Sequence, residues 1–156
     1  GIAGGMPLSG VVGRAEIMDA AHAGGLGGTF GGSPTAVAAG VAVMEQYASG
    51  NWFERALQIG EILNTRLNEM RANHPVIGDV RGKGAMQAIE LIVPGTQQPN
   101  ADATNELVKH CHQNGVVILN AGTYNNVIRF LPPLAITDEL LHEALDVVAA
   151  GLAKIS

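Results

Sequence analysis

Six of the nine residues in GGLGGTFGG, residues 24–32, are glycine, and a single hydroxyl, Thr29, stands among them. Successive backbone N–H groups with no side chains around them, joined by a hydroxyl, suit the oxygens of a phosphate or a similar anion. A helix predicted to begin at Pro34 would bring its positive end close by. The stretch is not a Walker loop, because no lysine follows in the required place. It also lacks the preceding strand and spacing of a dinucleotide fingerprint. Its residues alone leave two readings open: an anion cradle, or a flexible loop rich in glycine.

Arg129 is the second residue with chemistry to explain. In VIRFL, residues 127–131, period-2 alternation sets Val127, Arg129 and Leu131 on one face and Ile128 and Phe130 on the other. A charge in an otherwise apolar strand needs a partner, since burying it alone is expensive. The flat guanidinium fork matches a carboxylate at two points. That carboxylate belongs either to a substrate or to a protein Asp or Glu, and the spacing does not choose.

Other candidates are weaker. His110, Cys111 and His112 look like metal ligands, but neighbours on a helix point about 100° apart, so all three cannot grip one ion. No metal site is expected. His22, His74 and His142 are isolated, and no Ser/His/Asp arrangement follows from their spacing. Arg81 and Lys83 flank a turn and read either as an anion-binding pair or, the favoured reading, as a plain solvated turn. Asp79 and Glu90 read as single carboxylates without a partner.

These residues need elements to hold them. The glycine-dense first 34 residues contain one strand-like run, PLSGVVG, residues 7–13. Ser33 as N-cap and Pro34 at the first position open a helix. That helix, through Ala48, is apolar nearly all round and is expected to be buried on most sides, with Gly50 closing it. A domain boundary is expected there, dividing 1–50 from 51–156. Asn51 starts an amphipathic helix to about Asn73, with Trp52, Phe53, Ala56, Leu57, Gly60, Leu63, Leu67 and Met70 on one face. Two strands joined by the turn Gly82-Lys83-Gly84 follow, then a helix from about Asp102 to Asn114. VVILN (116–120) and VIRFLPP (127–133) read as strands. Thr137 caps a last helix with Leu140, Leu141, Ala144, Leu145, Val148 and Leu152 as its stripe. Helices interleaved with strands imply an α/β or α+β sandwich, a small sheet covered by helices.

Bulk properties agree. The chain has 156 residues, 47% of them apolar and 4% aromatic, enough for an aliphatic core. A net charge of −5 with no basic run argues against nucleic acid. The longest apolar stretch is too short for a membrane span. One cysteine, Cys111, forms no internal disulfide, which points to a reducing, cytoplasmic setting.

Four stretches together resemble the class III (fold type I) pyridoxal-phosphate-dependent aminotransferases: GIAGGMPLSGVVGRAEIMD, GGLGGTFGGSPTAVAAGVAVME, VIGDVRGKGAMQAIEL and LNAGTYNNVIRFLPPLAITDELLHEAL. The resemblance implies an α/β fold: the end of a large cofactor-binding domain over residues 1–50, with a long buried connecting helix. A small C-terminal α/β domain with a mainly antiparallel sheet follows over 51–156. It implies pyridoxal 5'-phosphate as cofactor, with Gly28 and Thr29 at its phosphate across a dimer interface. Arg129 would hold the substrate α-carboxylate, and Gly4, Gly5 and Pro7 would shape a turn. The activity implied for the parent is transfer of the amino group of 4-aminobutyrate to 2-oxoglutarate in a homodimer or larger assembly. An ornithine, acetylornithine or ω-amino-acid donor is the alternative, as is a non-catalytic self-associating module. The Schiff-base lysine would stand immediately before Gly1, so this chain alone is expected to be inactive.

Overall fold

The computed structural model describes residues 1–155, which form two compact units, Gly1–Asn51 and a second that begins at Trp52. The first unit holds a single-turn helix α1 (Ala15–Met18) and the long helix α2 (Pro34–Ser49). The run 7–13 is not a strand, because the first unit contains no other strand for its backbone to pair with. Ser33 does precede Pro34 at the start of α2, but its side chain makes no capping bond. Gly50 closes the helix at φ −111°, in extended backbone rather than the left-handed form. The expectation of burial also fails. Only Ala36 and Gly40 of α2 are buried, while Val37, Val41 and Met44 are exposed. The opening segment packs against one side of α2 at Gly40, where an added Cβ would lie 2.7 Å from Leu8 Cδ2. One segment cannot cover a helix that is apolar all round.

The second unit runs α3 (Trp52–Asn73), β1 (Ile77–Lys83), β2 (Met86–Leu91), α4 (Ala101–Gln113), β3 (Leu119–Ala121), β4 (Val127–Phe130) and α5 (Asp138–Ile155). The four strands pair antiparallel throughout, in the order β1-β2-β4-β3. Helices cover one face only. Gln87, Ile89, Leu91, Ile128 and Phe130 are buried towards them, and Met86, Leu119 and Arg129 on the alternate positions are exposed. The core joins Ile59, Leu63 and Leu67 of α3 to Ile89 and Ile128 of the sheet and to Leu107, Leu145 and Leu152 of the other helices.

The sequence pattern misplaces some boundaries. Phe53 and Leu57, read as core, are exposed, and Ile59 takes the buried place. Leu140 likewise leaves the stripe of α5. The hairpin turn is Gly84-Ala85 rather than Gly82-Lys83-Gly84, with Gly84 at φ +53°. Strand β3 is shorter than VVILN because the Val116 N–H bonds back to Cys111 O at 2.9 Å, at the end of α4. Between β4 and α5 the chain is fastened by Arg55 of α3. Its guanidinium donates to Leu134 O, Ile136 O and Asp138.

Candidate functional site

Arg129 lies on β4, an inner strand, with Ala88 of β2 opposite on one side and Leu119 of β3 on the other. Alternation and register put it on the face that the helices leave open, where it is exposed. It borders a groove of about 740 Å³ together with Val117, Leu119, Leu131, Leu140 and Glu143. Most of that wall is apolar. No carboxylate pairs with Arg129 among the described residues. Of the two partners the sequence leaves open, the protein Asp or Glu is therefore missing among the described residues. A guanidinium beside apolar side chains binds a carboxylate more strongly than one in open water, because the local dielectric is lower.

Two residues away on the same face is a cluster that the sequence reading missed. Arg81 Nη1 is 2.7 Å from Asp79 Oδ2 and 2.7 Å from Glu90 Oε2. Asp79 and Arg81 share a face because they are two apart on β1, and the register carries Glu90 round the turn to stand opposite Asp79. The hydrogen bond with Asp79, and then that with Glu90, raises the pKa of Arg81 above the usual arginine value. Asp79 and Glu90 are thus not single carboxylates, and Arg81 is not a free cation. The clue available beforehand was the alternation D-V-R followed by a short turn.

The glycine loop belongs to the first unit. Gly28 and Thr29 are exposed, and Gly28 O accepts from the Gly31 N–H at 2.9 Å. The N–H groups of Gly28 and Thr29 and the Thr29 hydroxyl have no partner among the described residues. A Cβ added at Gly27 or Gly28 would meet nothing within 4 Å, so the approach to these donors is open. A set of unfilled donors of this kind suits the oxygens of an anion. Residues 1–51 contain no lysine; the three in the chain are Lys83, Lys109 and Lys154.

The histidine pair on α4 divides as helical spacing demands. His110 Nδ1 is 3.2 Å from Lys154 Nζ, whereas His112 Nε2 is 2.7 Å from Ile118 O. Among the described residues no three His, Cys, Asp or Glu side chains gather as a metal site. None of the described helices is long and apolar enough to cross a membrane.

The family model "Aminotransferase class-III" matches residues 1–152. The chain belongs to the class III aminotransferases. It is 53% identical to the 4-aminobutyrate aminotransferase of Mycobacterium tuberculosis over 155 residues, which is 99% of this chain and 34% of that protein. It is 48% identical to the 5-aminovalerate aminotransferase of Pseudomonas aeruginosa over 95% of this chain and 35% of that protein. Among solved structures, acetylornithine aminotransferase from Elizabethkingia anophelis superposes with a TM-score of 0.81 at 29% identity, covering 98% of this chain and 39% of that one. The chain spans about a third of the length of the curated relatives it matches.

Proposed function

We propose that this chain is part of an enzyme that transfers the amino group of 4-aminobutyrate to 2-oxoglutarate, giving succinate semialdehyde and glutamate. Residues 1–50 are read as the end of a large cofactor-binding domain and residues 51–156 as its small C-terminal domain. The observation that carries the reading is Arg129: an arginine on an inner strand, exposed and without a protein carboxylate, on an aminotransferase fold. In this reading Arg129 grips the α-carboxylate of glutamate or 2-oxoglutarate in two-point fashion and sets the height of the reacting carbon. Gly28 and Thr29 hold the phosphate of pyridoxal 5'-phosphate through their N–H groups and the Thr29 hydroxyl. When bound, that cofactor supplies the electron sink for the amine-bearing carbon. The reading includes an assembly of at least two copies in a cytoplasmic setting.

A second donor has specific support. The relatives at 45–48% identity include proteins named 5-aminovalerate aminotransferase, whose donor is one methylene longer.

The test is a chimera in which this chain replaces the matching third of the Mycobacterium tuberculosis enzyme. The chimera should convert 4-aminobutyrate and 2-oxoglutarate to glutamate. A charge-assisted hydrogen bond of roughly 1.5–3 kcal/mol implies that Arg129→Gln raises the KM for 2-oxoglutarate about tenfold to a hundredfold. An unchanged KM would remove Arg129 from substrate binding. A preference for 5-aminovalerate over 4-aminobutyrate would favour the second donor.

A further inference from the structure

The open face of the sheet carries more charge than carboxylate binding uses. Asp79, Arg81 and Lys83 of β1 and Glu90 of β2 share it with Arg129, because the register pairs Arg81 with Ala88 and Ala88 with Arg129. Glu90 stands opposite Val127, two residues from Arg129 on the adjacent strand. Such diagonal neighbours lie about 7–8 Å apart, a gap that a glutamate and an arginine readily close. The ordinary outcome of this layout is a Glu90–Arg129 ion pair, which would fill the guanidinium with a carboxylate from its own sheet. That pair is not formed. One Glu90 oxygen, Oε2, is taken by Arg81 at 2.7 Å, and the other, Oε1, lies 3.4 Å from Asn126 Nδ2. Asn126 is buried and also donates to Leu91 O at 2.9 Å, so this second hold on Glu90 is fixed to the backbone. Asp79 is engaged by the same Arg81 nitrogen.

We propose that Arg81 is a positioning residue for carboxylate recognition: by holding Glu90 it keeps that side chain off Arg129 and leaves Arg129 open to a ligand carboxylate. The inference rests on the reading of Arg129 given above. Arg81 itself touches no substrate. It acts through Glu90, as the cation that pairs with both carboxylates of the face.

The test is made on the full chain with ¹⁵N-labelled arginine, following the Arg129 Nε–Hε resonance, with glutarate as the probe dicarboxylate. In the unsubstituted chain the Arg129 Hε should exchange freely with water, and glutarate should shift it. In Arg81→Met, before any ligand is added, the resonance should move. Its exchange should slow about two- to fivefold, the scale of an ion pair at a partly exposed site. Glutarate affinity should fall by a similar factor. Adding Glu90→Gln to Arg81→Met should restore both. An Arg129 resonance that ignores Arg81→Met, or a response that Glu90→Gln does not reverse, overturns the proposal. If the Arg81→Met response appears and is rescued while glutarate shifts nothing in any variant, Arg81's hold on Glu90 is upheld and the carboxylate reading of Arg129 is what fails.

Discussion

Cys111 and Arg129 are both single residues of their kind in their elements, and their surroundings give them opposite fates. Cys111 is fully buried on α4, and burial pushes its thiol up to about 11. The thiolate is the reactive form, so Ellman's reagent near pH 8 should modify the native chain slowly and the denatured chain at once. An immediate reaction in the native state would contradict the burial. The sign for stability follows from the raised value. The unfolded thiol ionises near pH 9 and the folded one near 11, so this group's contribution is complete below about pH 9 and declines as pH rises towards 11. Arg129 was legible from the sequence, because a charge among Val127, Ile128 and Phe130 is conspicuous. The Asp79–Arg81–Glu90 cluster was legible only in half, since alternation places Asp79 beside Arg81 but Glu90 joins them through a register that no local pattern states.

At the scale of elements, the contact between α3 and the β1–β2 hairpin depends on two glycines. A Cβ on Gly60 would lie 2.3 Å from Gly84 O, a backbone atom that cannot swing aside. Gly60→Ala would gain about 1 kcal/mol of helix propensity. Overpacking against a fixed neighbour costs roughly 1–3 kcal/mol, and a distance this short puts the site at the upper end. The net effect should be destabilising, read as a lower midpoint in urea; a higher midpoint would mean that the hairpin yields. Helix α4 offers a simpler test. Asn100 Oδ1 accepts the Ala103 N–H at 3.0 Å, so Asn100→Ala should cost about 1 kcal/mol. The helices of the second unit were legible from period and caps. The hairpin turn was not placed correctly, because Gly82 and Gly84 look alike in sequence. Only Gly84 has positive φ; Gly82 is there because a Cβ would meet Met86 O at 2.3 Å. The glycine loop around Thr29 was singled out by composition, whereas the absence of a strand at residues 7–13 depends on pairing, which composition does not encode.

Across the whole molecule, Val37, Val41 and Met44 form an exposed apolar stripe at i, i+4 and i+7 on α2. A stripe of this kind favours association. The chain on its own should therefore show oligomers by light scattering, and a monodisperse monomer would contradict this. The amides of residues 8–13 donate no backbone hydrogen bond and should exchange within the shortest labelling time. Leu63 and Leu145 in the core of the second unit should be among the slowest. With no lysine in residues 1–51, the chain incubated with pyridoxal phosphate, 4-aminobutyrate and 2-oxoglutarate should form no glutamate.

The four-stranded sheet is covered by helices on one side and bare on the other, which divides its residues by what keeps them in place. Ile89 and Ile128 point towards the helices, and replacing either would damage the fold. Arg129 and Leu119 point away, and the fold would survive their loss. Under selection for folding alone, random change would erase the bare side first and leave the covered side intact. A lineage that had abandoned its chemistry would be recognisable by that asymmetry, with helices still well seated behind a sheet whose outer charges had scattered. In this chain the bare side carries Asp79, Arg81, Glu90 and Arg129, none of which belongs to the hydrophobic core.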